Sequence, residues 1–357
     1  MIMNNVILVN SLFNLMTAIQ LRRKILANMP VDIILSDQAK GLEKIYHNRT
    51  LEDIFDNVYF AKYSGIDFSD KIKGVINPNY IIKKITGYDF KPYSDVFFWN
   101  PTLFFHYYLF EANKCDLQVN LHVYGDAMGG FFTDIPLDRG VFRRNFINKM
   151  IYKYYHYIPL NECEYDYYEY HPKYITFNTT RKVIEIPSFD DDPEIIKIFN
   201  KVFELSDDQE ILDSVIILDF NQDDHFPDSS EGIDFIYHIT KVINKSITLK
   251  PHPRQGLDIY NGIDVNISNL SCPWELYCLN HVVDDKLIIA FSSSSSILPY
   301  ILCDTRYRLI FVDLKNNLSD YFDGKWSLII QKLVQEGKNI SYVENINEFD
   351  KAISQIV

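Results

Sequence analysis

The chain has 357 residues, of which 47% are hydrophobic and 23% charged; these ordinary values for a globular protein exclude wholesale disorder. Acidic residues outnumber basic ones by 48 to 35, which gives a formal net charge of −13. A chain this acidic is not predicted to bind nucleic acid, because binding to a phosphate backbone needs a basic face.

The N-terminal segment is predicted to form the first strand and helix. Its apolar run at 6–9 predicts a buried strand, and the residues from about Leu12 predict a helix. Further apolar runs predict strands at 31–36, 57–63, 95–100, 119–126 and 174–177, with a helix at 101–114. Strands that alternate with helices predict a parallel sheet with helices on both faces.

The alternation of strands and helices is interrupted at 188–210 by an acidic stretch with a proline and one amphipathic helix. This stretch is predicted to link two domains, 1–187 and 211–357. Beyond it the pattern restarts, with strands predicted at 214–220, 246–253, 264–268, 286–293 and 307–313 and helices near 233–243 and from Pro273. The predicted fold class is α/β, with two doubly wound Rossmann-like domains that face each other across a cleft. This GT-B architecture is typical of many nucleotide-sugar glycosyltransferases, although many other enzymes also have two α/β domains.

The odd number of cysteines, five, and the lack of a CxxC pair favour reduced thiols. The N-terminus lacks the basic start and cleavage site of a signal peptide, and no apolar run reaches the length of about 20 residues that spans a bilayer. A cytoplasmic protein is therefore predicted. The basic, aromatic segment 142–157 would suit either a peripheral contact with the inner face of the membrane or a packed surface helix.

The motif Lys250-Pro251-His252-Pro253 follows a predicted strand. Ligands of open α/β sheets bind outside the carboxyl ends of strands. There His252 could donate to a phosphate, and Lys250 would add a positive charge. The alternative is a turn in which the prolines fix the backbone and the histidine is merely solvated.

Five serines, Ser292 to Ser296, stand between a predicted strand and a predicted helix. Backbone N–H groups, the helix dipole and the hydroxyls of Ser292, Ser293 and Ser294 would all point at an anion there. Simple N-capping needs only one serine, so the run favours phosphate binding.

Three weaker signals also follow predicted strands or begin a helix. Asp126 in the segment YGDAMGG could be a general base, or it could cap a glycine-rich turn. Glu275, in the first turn of a helix from Pro273, could accept both hydroxyls of a ribose or simply favour the helix dipole. Asn221 and Gln222 follow the strand at 214–220 and could contact a nucleotide. The acidic run 190–192 has metal-site spacing, but a solvated loop is favoured and no metal is predicted.

In this order, the motifs resemble those of bacterial GT-B sialyltransferases of the lipooligosaccharide and capsule type, which have a D/E-D/E-G, an HP and an S-S/T motif. The opening segment also resembles their N-terminal strand, loop and helix with a Pro-Phe-Gln-like turn, which here runs from Ser11 to Asn14. The resemblance therefore assigns Ser11 and Asn14 to donor binding. Asp126 matches the second acid of the acidic pair, whereas Gly125 replaces the first acid and the trailing glycine is displaced to Gly129.

The resemblance implies an inverting transfer of sialic acid from CMP-sialic acid to a sugar hydroxyl of a bacterial surface glycan, which could be lipid-linked. No metal or other cofactor is implied. Asp126 would take the acceptor proton, and His252 would hydrogen-bond or protonate the departing phosphate. Lys250, Glu275 and the serines would hold CMP. The alternatives are a GT-B transferase for another nucleotide-activated sugar (another nonulosonic acid or a hexose) and a non-catalytic nucleotide-sugar-binding protein.

Overall fold

The chain forms two compact units, Met1–Pro187 and Ser188–Val357. The computed structural model describes residues 3–134, 153–158, 162–189, 192–205, 210–222, 226, 229–270, 272–303, 305–314 and 324–356. No helix in these ranges is both long enough and apolar enough to span a membrane.

The first unit is built on a parallel sheet of seven strands in the order β3-β2-β1-β4-β5-β6-β7. The strands are β1 Asn4–Val9, β2 Val31–Ser36, β3 Asn57–Ala61, β4 Tyr93–Phe98, β5 Asn120–Tyr124, β6 Asp166–Tyr170 and β7 Val183–Ile186. The strand order reverses between β1 and β4, so this unit has its topological switch point there.

The helices of the first unit connect these strands. They are α1 Leu12–Lys24, α2 Leu42–His47, α3 Phe68–Ile76, α4 Pro78–Thr86, α5 Leu103–Lys114 and α6 Gly129–Phe132. Helix α1 begins where Ser11, in extended backbone conformation, accepts a hydrogen bond from the amide of Asn14. Ser11 therefore acts as an N-cap, which ties the start of α1 to the carboxyl end of β1.

The strand predicted at 174–177 is wrong. Residues Pro172–Tyr174 form one 3₁₀ turn, and the strands on either side are β6 and β7. Strand β6 has the sequence DYYEY and is nearly all buried. Its two acidic residues interrupt the apolar pattern from which a buried strand is predicted. Hydropathy patterning misses such a strand because it treats every carboxyl group as solvent-facing.

The second unit repeats the design with six parallel strands in the order β10-β9-β8-β11-β12-β13. The strands are β8 Val215–Leu218, β9 Ile247–Lys250, β10 Asn266–Ile267, β11 Leu287–Phe291, β12 Arg308–Val312 and β13 Ile340–Val343. The helices are α7 Pro193–Phe203, α8 Glu231–Val242, α9 Trp274–Asn280, α10 Ser294–Leu302, α11 Lys325–Gln335 and α12 Ile346–Ile353. Its switch point lies between β8 and β11.

The segment predicted as a link, 188–210, contains helix α7. This helix packs against α9 and groups with the second unit. Its apolar face carries Ile195, Phe199 and Val202, all buried. These residues are therefore part of the folded second unit.

Candidate active site

In the first unit, Asp126 and Ser11 meet across the switch point. Asp126 follows β5 and Ser11 follows β1, with β4 between these two strands. The Ser11 hydroxyl donates to Asp126 Oδ1 at 3.2 Å and accepts from the Asn14 amide at 3.0 Å. The structure thus brings together the three residues of this unit that the sequence assigns to a site.

The environment of Asp126 suits a proton acceptor. Asp126 keeps part of its surface open to solvent. Burial nevertheless raises the pKa of its carboxyl group to about 6, against the opposing effect of the Ser11 hydrogen bond. At neutral pH the group is mostly ionised, yet it is more basic than an ordinary aspartate, as a general base should be.

The backbone turns sharply after Asp126. Ala127 has a φ of +51°, in the left-handed region. A residue with a Cβ is disfavoured there by about 1–2 kcal/mol, and strained positions of this kind cluster at functional sites. Ala127 also occupies the place at which the resemblance expects the glycine of the acidic motif.

The Asn14 side chain is fully buried, yet neither of its polar atoms has a hydrogen-bond partner among the described residues. A buried polar group without a partner is costly, so such a group needs an explanation. A ligand hydroxyl, which both donates and accepts, would satisfy the amide. Both atoms are closed to solvent in this structure, so the role of Asn14 in ligand binding stays a prediction.

Glu169 lies next to the turn between Gly125 and Gly130 and was not predicted from the sequence. Glu169 is 1% exposed, and its carboxyl accepts a hydrogen bond from the Tyr170 amide at 2.8 Å. Burial, with a smaller effect of the charge on Asp126, raises the pKa of Glu169 to about 8. The one available signal was an acidic residue embedded in a tyrosine-rich segment, which is ambiguous without the tertiary structure.

In the second unit, the loop after β9 holds His252 in a defined tautomer. The Arg254 amide donates to His252 Nδ1 at 3.3 Å, and the Gln255 amide donates to the His252 carbonyl oxygen at 2.9 Å. Because Nδ1 accepts, the ring proton of the neutral imidazole sits on Nε2. His252 is therefore set up as an Nε2–H donor, while Pro253 is exposed and shapes the turn.

Two polar residues that follow β8, Asn221 and Gln222, differ in their hydrogen bonds. The Gln222 side-chain Nε2 donates to Asp219 Oδ1 at 2.8 Å, and the Gln222 backbone N–H donates to Gln255 Oε1 at 2.7 Å. Gln222 therefore joins the end of β8 to the loop of His252. The buried Asn221 Oδ1 has no hydrogen-bond partner among the described residues, and its contact with a nucleotide stays a prediction.

Lys250 and Glu275 interact electrostatically. Glu275 is buried in the first turn of α9, which Pro273 begins as predicted. Burial lowers the pKa of Lys250, and the negative charge of Glu275 opposes that effect. Among the described residues, none forms a salt bridge with the Lys250 side chain.

The serine run forms the turn from β11 into α10. Ser292 has a φ of +38°, and its hydroxyl donates to Asp313 Oδ1 at 2.8 Å. Ser293 occupies the N-cap position, but its side chain makes no capping hydrogen bond. Capping therefore does not explain the run. Ser293 and Ser294 are better placed than Ser292 to offer hydroxyls to an anion at this helix N-terminus.

Two features considered in the sequence lie wholly or partly outside the described residues. These are Asp190 and Asp191 of the acidic run and residues 142–152 of the basic, aromatic segment. Within the described ranges, no group of three or more His, Cys, Asp and Glu side chains is arranged to hold a metal ion.

No protein-family model matches the sequence, and no curated protein is similar to it. Solved structures do share its fold. UDP-GlcNAc 2-epimerase from Methanocaldococcus jannaschii has a TM-score of 0.53 at 12% identity, covering 98% of this chain and 91% of that one. The complex of the enzyme from this organism with UDP-GlcNAc and UDP gives 0.52 at 14% identity, covering 98% and 92%. The S. aureus MnaA–UDP structure gives 0.53 at 9% identity, covering 99% and 88%. The predicted GT-B fold is confirmed.

Proposed function

We propose that the protein is a glycosyltransferase that moves a sugar from a nucleotide-activated donor to a hydroxyl group, with Asp126 as the general base. The observation that carries this proposal is the Asp126 carboxylate itself. It lies at the carboxyl edge of the sheet, held by Ser11 next to a strained turn, with its pKa raised to about 6. A residue that served only as a turn cap would gain nothing from a raised pKa.

In this mechanism Asp126 accepts the proton of the acceptor hydroxyl as its oxygen attacks the anomeric carbon of the donor. The bond from that carbon to the nucleotide phosphate breaks in the same step, so the configuration inverts. The transition state is oxocarbenium-like, as in other glycosyl transfers. The proton ends on Asp126 and the electron pair of the broken bond on the phosphate.

The second unit contains the groups that would receive the leaving nucleotide. His252 offers an Nε2–H donor to the phosphate, and Lys250 offers a positive charge without a salt-bridge partner. Ser293 and Ser294 add hydroxyls at the N-terminus of α10. Fixed donors aimed at the developing charge stabilise the transition state more than the ground state. Glu275 is proposed to hold the ribose.

The donor proposed here is CMP-sialic acid, on the strength of the ordered motifs. A monophosphate leaving group agrees with the charges near the serine run. Arg306, the first basic residue after that run, lines a cavity with Ser214 and Lys286 near the amino ends of the strands. It therefore lies at the opposite edge of the sheet from the serines and cannot be the second cation that a diphosphate would require.

A second candidate is a transferase for another nucleotide-activated sugar, with UDP as the leaving group. What supports this candidate is the nucleotide, since proteins of the same fold have been captured with UDP-GlcNAc and UDP. The two candidates use the same base and differ in the nucleotide. A non-catalytic sugar-binding protein would bind the nucleotide without needing Asp126 as a base.

Thermal unfolding with CMP, CMP-sialic acid, UDP, UDP-GlcNAc and GDP separates these candidates. A ligand that binds only the folded state stabilises it by about 2.7 kcal/mol at a hundredfold excess over its Kd. We expect CMP to raise the Tm more than UDP or GDP. A larger rise with UDP would favour the second candidate, and no rise with any nucleotide would refute the proposal.

Two further measurements complete this test. Ser293→Ala should reduce the CMP-induced rise, whereas Ser354→Ala, an exposed serine at the C-terminal end of α12, should leave it unchanged. Release of CMP from CMP-sialic acid is then measured with and without lactose-type acceptors, and with EDTA. Release that is abolished by EDTA would contradict the metal-free mechanism.

A further inference from the structure

A carboxyl group is buried beside Asp126 without a neutralising cation. Glu169 is 1% exposed and lies on β6, next to the strand that leads to Asp126. No described Lys, Arg or His forms a salt bridge with it. A buried carboxylate without a cation is costly, so this group is more stable when it carries a proton.

The hydrogen bonds around Glu169 require that proton as well. The Tyr167 hydroxyl contacts the carbonyl oxygen of Gly130 and lies 2.9 Å from Glu169 Oε2. A hydroxyl has one hydrogen, and a carbonyl oxygen can only accept. When Tyr167 donates to Gly130, the second bond forms only if Glu169 Oε2–H donates to the tyrosine oxygen. Both contacts are therefore satisfied when Glu169 is a neutral acid.

The glycines around Asp126 make room for this carboxyl group. A Cβ on Gly125 would lie 2.6 Å from the Glu169 carboxyl carbon, and one on Gly130 would lie 2.9 Å from it. Both distances are too short for real atoms. Gly125 stands where the resemblance expects the first acid of the pair. A second acid is thus present at the turn, supplied by β6.

We propose that Glu169 is a positioning residue for Asp126: as a neutral acid it fixes the Gly125–Gly130 turn through Tyr167, and its ionisation lowers turnover. This inference rests on the proposed glycosyltransferase function. It assigns Glu169 no contact with the substrate, so it is not a catalytic residue. Its effect reaches the reaction through the position and charge of Asp126.

Ionisation would disturb the turn in two ways. Tyr167 would turn its single hydrogen to the carboxylate, which leaves the Gly130 carbonyl without that donor. A second negative charge would also stand near Asp126, and the two anions repel. Since burial raises the pKa of Glu169 to about 8, both changes fall in the mildly alkaline range.

The other titratable groups near Glu169 do not change their charge in the mildly alkaline range. Burial raises the pKa of Tyr167 well above its ordinary value, so this hydroxyl stays neutral in the mildly alkaline range. Glu185, the register partner on β7, is exposed and lies 3.6 Å from His171 Nδ1. Its charge is solvated, which makes Glu185→Gln a matched control.

The test compares the pH profiles of kcat for the wild type, Glu169→Gln, Glu169→Leu and Glu185→Gln. Gln copies the neutral acid because its Nε2–H donates to Tyr167 while Oε1 accepts from Tyr170. We expect Glu169→Gln to stay within about threefold of wild-type kcat near neutral pH and to lose the alkaline decline that has its midpoint near pH 8. Glu169→Leu should lower kcat by about tenfold or more with little change in the donor KM. Glu185→Gln should keep the wild-type profile.

An alkaline decline that persists in Glu169→Gln would overturn the inference, as would wild-type kcat in Glu169→Leu. A readout independent of turnover separates this result from a failure of the proposed function. The infrared C=O band of a protonated carboxyl should disappear between neutral pH and about pH 9 in the wild type and be absent in Glu169→Gln. If no nucleotide sugar is turned over, the proposed function fails, and this band still decides whether Glu169 is neutral. A missing band overturns the inference.

Discussion

Replacing Asp126 with Asn tests the proposed base most directly. The substitution is nearly isosteric, and the Asn Oδ1 can still accept the hydrogen bond that Ser11 donates at 3.2 Å. The turn should therefore keep its shape. What is lost is the ability to take a proton, which is worth about 10²- to 10⁴-fold in rate for a positioned general base. We expect kcat to fall by that factor.

The raised pKa of Asp126 also predicts the acid limb of the wild-type pH profile. With a pKa of about 6, about nine-tenths of the carboxyl groups are ionised at pH 7 and about one-tenth at pH 5. The kcat of the wild type should therefore rise about eightfold to tenfold over this interval. Asp126→Asn has no group to titrate there, so its residual activity should lack this limb.

The free energy of unfolding of the wild type should fall over the pH range in which kcat rises. The pKa of Asp126 is raised from 3.8 in the unfolded chain to about 6 in the folded one, so the folded state binds more protons between these values. Stability is thus lost as the pH rises from about 4 to about 6, at a cost of about 3 kcal/mol above that range. Asn avoids this cost, so Asp126→Asn should be more stable than the wild type at pH 7.

The assay combines steady-state turnover with CMP-binding and denaturant unfolding at pH 5 and pH 7. CMP affinity should barely change, because the nucleotide motifs belong to the second unit. Full activity in Asp126→Asn would refute the base assignment and leave a turn without a catalytic role. A variant that is less stable at pH 7 would refute the argument from the raised pKa.

Three other substitutions test the remaining parts of the site. His252→Ala should lower kcat by about 10²- to 10³-fold, the effect of removing one donor to a developing oxyanion, while circular dichroism and Tm stay near wild type; unfolding would instead mark a structural residue. Ala127→Gly should raise the free energy of unfolding by about 1 kcal/mol, since glycine relieves the strain at φ +51°, and an unchanged or lower value would argue against that strain. Gly125→Ala should lower the free energy of unfolding by about 1–3 kcal/mol by displacing Glu169, and wild-type stability would contradict the packing described here.

The sequence predicted much of the fold because parallel strands that are buried on both faces are continuous aliphatic runs. The run VDIILS forms β2 over the predicted residues, and LIIAF forms β11 inside the predicted segment. The order of runs and amphipathic stretches then predicts two parallel α/β units. Since parallel strands share one carboxyl edge, the motifs after β5, β8, β9 and β11 could be assigned to the binding edges from sequence alone.

Only the tertiary structure showed which polar side chains form hydrogen bonds within the protein. Ser292 and Gln222 looked like ligand contacts, but their side chains bind Asp313 and Asp219, while Asn221 keeps a carbonyl oxygen without a partner among the described residues. No local pattern distinguishes these cases. The partner of a buried polar group is chosen through space, by strands that are neighbours in the sheet and distant in the chain.

Glu169 shows why some features of the site could not be predicted from the sequence. Hydropathy periodicity counts a glutamate as polar, so the strand that contains it was missed and a strand was predicted at 174–177 instead. Its burial depends on Gly125 and Gly130, about 40 residues earlier, which leave the space that the carboxyl group fills. The sequence by itself therefore determined the strands, the edge and the acid Asp126. The protonation of the second acid depends on a low-dielectric site that exists only after β5 and β6 have paired.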